Sequence, residues 1–303
     1  MFSTTQRWSD RLPPHLFFLV SAVFHYLGPS FAVLLFARLE PAGVAWLRIA
    51  TAGLIFALWR RPWRLLLAGT GADMLPIAAL GVVLGIMNTV FYEAIARLPL
   101  ATVGAIEFLG PIGIAALGVR SRRNLAALGL AVSGVVALTE VRLVMQPLGY
   151  LFAFANCGLF TLYILLGHRI ALGRSGVSGV DRLAAAMLVA SFAALPIGLR
   201  DAAPAFFDPR LMAAAIGVGV SSSVIPYVCD QLAMRRLPRA SFALLLSLLP
   251  ASAAVIGLLV LHQAPRPVEV FGILLVVAGV ALHRADEPRG PARAPSEVAS
   301  VSA

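Results

Sequence analysis

Three acidic residues, Glu93, Glu107 and Asp230, lie inside long apolar runs of this 303-residue chain. A carboxyl inside a bilayer is costly, so it faces a cavity or a partner. Glu107 has the setting with the most chemistry in it. Gly104, Gly110, Pro111 and Ile114 share its helical face at i−3, i+3, i+4 and i+7. Pro111 has no N–H to give to the Glu107 carbonyl. A carboxyl, a freed carbonyl and a glycine-bearing face suit a substrate ammonium group or a proton. They also suit a structural hydrogen bond to another helix. Asp230 shares a face with Ser223, Pro226 and Tyr227. It reads either as a second coupling or binding group or as an interfacial carboxylate paired with Arg235 or Arg236. Glu93 precedes Arg97 by four residues, the spacing of a helical ion pair. Arg48 could snorkel outward, neutralise a buried acid or bind a substrate carboxylate.

Neutral polar residues add donors and acceptors. Asn88 and Tyr92 share a face with Gly81 and Gly85. Asn156 and Tyr163 share another, with Phe160 between them, and Ser21, His25 and Gly28 a third. Hydrogen-bonding groups beside an aromatic wall suit a zwitterion, and the alternative is bonding between helices. The candidate binding residues are therefore Asn88, Tyr92, Glu107, Tyr163 and Tyr227. Glu107 and Asp230 are the proton-coupling candidates. Pro111, Pro226 and Pro250 are the candidate helix kinks.

These residues need apolar elements to hold them, and the composition supplies little else. The chain is 60% apolar and 13% charged, with a mean hydropathy of +0.90. A soluble domain carries about 25% charged residues, so a water-soluble enzyme, a disordered chain and a disulfide scaffold are excluded. A bilayer crossing takes about 20 apolar residues. Ten apolar segments are legible, at about 15–37, 42–59, 74–96, 99–119, 124–139, 148–167, 183–199, 211–234, 239–261 and 268–283. Their length and all-round apolarity predict helices, not barrel strands. The expected fold is an all-α polytopic membrane protein. The first segment is too long for a signal peptide and lacks a clear cleavage site.

Every one of the 24 basic residues is arginine. With the N-terminus in the cytoplasm, 17 of them fall on the inner side and six on the outer, Arg48 being left within its segment. This asymmetry places both termini in the cytoplasm. It also accounts for the net charge of +10 without nucleic acid. Residues 1–14 form a cytoplasmic N-terminus, and 285–303 read as a disordered cytoplasmic tail rich in Pro, Ala and Ser. Cys157 and Cys229 lie in apolar runs and suggest neither a disulfide nor a metal site.

A repeat joins the two halves. Ala94-Ile-Ala-Arg-Leu-Pro-Leu-Ala101 matches Ala233-Met-Arg-Arg-Leu-Pro-Arg-Ala240, and Pro111 meets Pro250 at the same offset. Five segments per half is odd, so the second repeat is inverted. The repeats are bounded at 15–140 and 148–284. Inverted repeats are a mark of secondary transporters.

Gly85-Ile-Met-Asn-Thr-Val-Phe-Tyr92, then Leu98-Pro-Leu100 and Ala105-Ile-Glu-Phe-Leu-Gly-Pro111, resembles the drug/metabolite transporter superfamily. The resemblance is strongest to the EamA-type branch that includes threonine/homoserine exporters. Gly43-Val-Ala-Trp-Leu-Arg48, Tyr163-Ile-Leu-Leu-Gly-His-Arg169 and Pro226-Tyr227 add to it. The likeness covers about residues 15–284. It implies ten helices in two inverted five-helix repeats and export of small metabolites such as amino acids across a bacterial inner membrane. Two departures stand out: Leu249 precedes Pro250 where an acid is frequent, and His262-Gln263 replaces a common Gly-Glu pair.

The expected partners are a small-molecule substrate, protons and the lipid bilayer. No cofactor or metal is expected. The chain has no phosphate-binding Gly-rich loop ending in Lys, no His-Glu-x-x-His and no Gly-x-Ser-x-Gly. A transporter is therefore expected over an intramembrane enzyme. A facilitator of the same fold, or an exporter of another small metabolite or drug, is the alternative.

Overall fold

The computed structural model describes residues 13–68, 71–110, 112–113, 121–139, 146–171, 179–234 and 249–282. Among these residues every regular element is helical. The order is α1 Pro14–Leu35, α2 Pro41–Arg60, the short α3 Trp63–Ala68, α4 Gly71–Ile95, α5 Leu100–Glu107, α6 Arg122–Thr139 and α7 Pro147–Ala171. Then follow α8 Gly179–Phe207, α9 Pro209–Gly219, a π-helical turn Val220–Val224, α10 Ile225–Met234, α11 Leu249–Leu261 and α12 Pro267–Leu282.

Proline sets many of the starts. Pro14, Pro41, Pro147, Pro209 and Pro267 each open a helix, where the missing N–H is not needed. Asp208 caps α9, its Oδ1 accepting from the N–H groups of Arg210 and Leu211 at 2.9 and 3.3 Å.

Five described stretches are long and apolar enough to cross a membrane: Pro41–Arg60, Met74–Ile95, Pro147–Leu166, Asp181–Phe207 and Pro209–Cys229. Leu19–Leu35, Leu249–Leu261 and Pro267–Leu282 are shorter apolar helices. Large apolar side chains face outward, including Leu67, Leu75, Phe207, Phe271 and Leu274. In water this would be a liability, and against lipid it is the expected surface.

Three boundaries depart from the sequence reading. The segment expected over 183–199 is helical from Gly179 to Phe207, because Asp181 begins it with an ion pair to Arg60 at 2.7 Å and Asp208-Pro209 ends it. The helix expected over 99–119 is broken by a turn at Phe108, directly after Glu107. The helix expected over 211–234 carries the π-helical turn in its middle.

Two apolar clusters fill the interior. One joins α1, the start of α2, the ends of α4 and α8, and α5, α6, α7, α9, α11 and α12. The other joins α2, α4 and α8. Glycines allow the tightest helix contacts. A Cβ on Gly81 of α4 would lie 2.5 Å from Val189 Cβ and 2.7 Å from the Ala186 carbonyl oxygen on α8. A Cβ on Gly219 would lie 2.7 Å from Thr51 Cβ and 3.1 Å from the Arg48 carbonyl oxygen on α2. Gly134 on α6 and Gly272 on α12 each place a carbonyl where the other's side chain would stand.

Candidate functional site

Glu107 is the last residue of α5 and is buried, 6% exposed. Asn156, on α7 and wholly buried, donates its Nδ2 to Glu107 Oε1 at 3.3 Å. Asn156 Oδ1 has no hydrogen-bond partner. Tyr26 enters from α1, also wholly buried, with an unpartnered hydroxyl. That hydroxyl lies against Gly104, one turn before Glu107, where a Cβ would come within 3.0 Å of it. Glu107 interacts electrostatically with Tyr26, Cys157 and Arg48.

Arg48 comes from α2 and does not snorkel. It is 6% exposed and points inward, its Cζ 5.4 Å from the centroid of the Tyr92 ring. Its Nε donates to Ser223 Oγ at 2.8 Å and its Nη2 to the Ser222 carbonyl at 2.9 Å. Pro226 explains why that carbonyl is available. In a regular α-helix the N–H of residue 226 would bond to it, and proline has none. Among the described side chains no carboxylate lies within ion-pair distance of Arg48. Tyr92 is wholly buried between Phe36 and Phe91, and its hydroxyl is unpartnered.

Of the candidate binding residues, Tyr92 therefore lies against Arg48, while Glu107 is held by Asn156. Asn88 is buried on α4 and donates Nδ2 to the Leu84 carbonyl of its own helix at 2.8 Å. Tyr163 stacks on Phe160, which meets Phe108 edge-on beside Glu107. Tyr163 and Tyr227 both pack on the apolar cluster of α2, α4 and α8. Asp230 belongs to α10, and its side chain lies outside the described residues, as do Pro111 and the tail after Leu282. Pro226 is buried, and its carbonyl accepts from Ser21 Oγ at 3.4 Å. Pro250 sits in the first described turn of α11.

Sequence reasoning does not single out Tyr26, Ser222 or Ser223 for this site. The run Ser221-Ser222-Ser223 before Pro226 is the available signal. Tyr26 has none beyond being a tyrosine in an apolar segment. Glu93 and Arg97 form the expected ion pair, and Arg97 also reaches the Glu93 carbonyl at 2.7 Å and lies over Phe152.

A cavity of about 530 Å³ lies elsewhere, where the chain turns between α4 and α5 and between α11 and α12. Arg97, Thr102, His262, Gln263 and Glu269 line it. None of the candidate binding residues does. Gln263 Oε1 accepts from the Leu100 N–H at 3.1 Å and ties the two turns together.

A lipid-facing helical body with a buried polar cluster is the architecture of a polytopic membrane transporter. Comparison with known proteins narrows the class. Residues 147–284 match the EamA-like transporter family. The chain is 30% identical over 268 residues to the threonine/homoserine exporter RhtA of Salmonella typhimurium (strain SL1344), covering 88% of this chain and 89% of that one. RhtA of Escherichia coli (strain K12) matches with the same figures. One solved crystal structure, 17% identical, superposes with a TM-score of 0.57 over 88% of this chain and 96% of its own. The chain belongs to the drug/metabolite transporter superfamily, in the EamA-type branch of the RhtA exporters.

Proposed function

We propose that this protein exports small amino acids such as threonine and homoserine from the cytoplasm, by proton-coupled alternating access. The observation that carries the reading is the buried Glu107, bonded to Asn156 and flanked by the unpartnered oxygens of Asn156 and Tyr26. Those oxygens and the carboxylate suit an ammonium group. A lone carboxyl at that depth is also a place to load and release a proton. Asn88, Tyr92, Tyr163 and Tyr227 would shape the substrate cavity, with Asp230 a second proton-linked group. The relatives named as threonine/homoserine exporters support the substrate class.

The helices form two inverted five-helix repeats over 15–140 and 148–284, ten crossings in all, in a bacterial inner membrane with both termini cytoplasmic. The glycine contacts support this. Gly81 meets Ala186 and Val189, and Gly219 meets Arg48 and Thr51. Adding one constant offset to Gly81, Arg48 and Thr51 gives Gly219, Ala186 and Val189, so each contact is the other with its partners exchanged. Gly134 and Gly272 are related by that same offset and meet each other. Such an exchange of partners is what two inverted copies produce. The arginine asymmetry supports the orientation.

The test compares the wild type with Glu107→Gln in proteoliposomes. Labelled-threonine counterflow is measured first, then net flux with and without a pH gradient. The expected result is loss of gradient-driven flux with counterflow preserved. Gradient-driven flux that survives in the variant removes Glu107 from coupling. A wild type insensitive to the gradient is a facilitator, and one that moves no amino acid has another substrate.

A further inference from the structure

The proposed site as described receives an ammonium group and leaves the other end of an amino acid without a receptor. We infer that Arg48 is the residue that binds the substrate carboxylate, parked before substrate arrives on the Ser222 carbonyl and the Ser223 hydroxyl. This rests on the amino-acid reading given above and assigns the part of the site that reading leaves open.

Four observations carry it. First, Arg48 is a buried cation whose hydrogen-bond acceptors among the described side chains and backbone are both neutral. Its two bonds use two of five N–H groups. A buried charge held only by neutral acceptors is poorly compensated. A carboxylate answers both the charge and the planar fork of donors, accepting two parallel bonds from the guanidinium while neutralising it. Exchanging the serine acceptors for a carboxylate is therefore favourable.

Second, the acceptors are built to be given up. The Ser222 carbonyl is exposed to Arg48 because Pro226 cannot bond to it. It sits in a π-helical turn, a feature concentrated at functional sites. Third, the guanidinium is aimed. The Tyr92 ring lies 5.4 Å from its Cζ and fixes it by a cation–π contact. The buried hydroxyl of Tyr92 has no partner. Fourth, Glu107 and Arg48 interact electrostatically yet form no ion pair. An acid and a base that do not pair, with unpartnered oxygens of Tyr26 and Asn156 on the α5 side and of Tyr92 on the Arg48 side, offer one receptor for each end of a zwitterion. His25, also in electrostatic contact with Arg48, is the other ionisable neighbour and offers no anionic form to replace the substrate.

The competing role is a structural tether between α2 and the serine turn. Full-length protein in proteoliposomes separates the two. Counterflow is measured with L-threonine and with L-threoninamide, which keeps the ammonium and side chain but has no carboxylate. Wild type, Arg48→Gln and Arg48→Lys are compared. The wild type is expected to favour threonine by about 10- to 100-fold in half-saturating concentration, the size of a buried charged hydrogen-bond pair. Arg48→Gln is expected to lose that preference by weakening threonine and leaving threoninamide little changed. Arg48→Lys, which keeps the charge and not the fork, falls between.

A wild type with equal affinity for both compounds overturns the inference without needing any variant. Equal weakening of both compounds in Arg48→Gln, or full preference retained in it, also overturns it and leaves the amino-acid reading standing. Should Arg48→Gln fail to reconstitute, Arg48→Lys decides, and wild-type preference in that variant counts against the fork. A wild type that moves neither compound defeats the amino-acid reading itself, and this inference with it.

Discussion

Gly81 in α4 meets Ala186 and Val189, Gly219 at the end of α9 meets Arg48 and Thr51, and one constant offset relates the two sets with the partners exchanged. Beyond these glycines the two helices part. The run from Gly219 to the Leu237-Pro238 turn is one residue longer than the run from Gly81 to the Leu98-Pro99 turn. The π-helical turn Val220–Val224, whose bonds span five residues, lies within the longer run. In α4 the same stretch closes on itself, with Asn88 bonded to the Leu84 carbonyl and Thr89 to the Gly85 carbonyl at 3.0 Å. In the other helix a carbonyl and a hydroxyl face Arg48. At the offset that relates the two glycines, Arg48 corresponds to Ala186, which has no charge to satisfy. The packing of the two glycines is thus alike, while the charge sits at one of the two places.

Four substitutions test that comparison, beginning with the largest effect. Gly81→Leu and Gly219→Leu each force a side chain into a neighbouring helix. Overpacking of this kind costs about 3 kcal/mol, and both variants are expected to lose most monodisperse protein in detergent. A folded, stable Gly219→Leu would show that only α4 is packed tightly. Ser223→Ala removes a bond to a buried charge and is expected to cost about 2 kcal/mol, read as a lower melting temperature. Thr89→Ala is its partner on the regular side. It loses a bond within its own helix but gains helix propensity, so its stability should stay within about 0.5 kcal/mol of wild type. Equal losses for Ser223→Ala and Thr89→Ala would erase the distinction between the two helices.

Much of the scaffold was legible from the sequence. The apolar run at 42–59 became Pro41–Arg60, and the run at 268–283 became Pro267–Leu282. Long apolar stretches bounded by proline leave the backbone few choices in lipid. The π-helical turn was not legible, because an apolar run has the same composition whether its bonds span four residues or five. The inward course of Arg48 was not legible either. A long basic side chain reaches water or a buried partner from the same position, and the deciding acceptors come from residues some 175 positions away. The His262-Gln263 departure does have a visible basis. His262 takes φ 53°, a conformation glycine adopts more easily, and the Gln263 side chain bonds to the start of α5.

Where α6 crosses α12, the two glycines leave backbone against backbone, with Leu138 and Val276 at the sides. Most helix crossings interlock like gear teeth, because knobs from one helix fill holes in the other. This one is smooth at its centre. The two backbones rest directly on one another there, and a methyl group added to either glycine would have to push the helices apart.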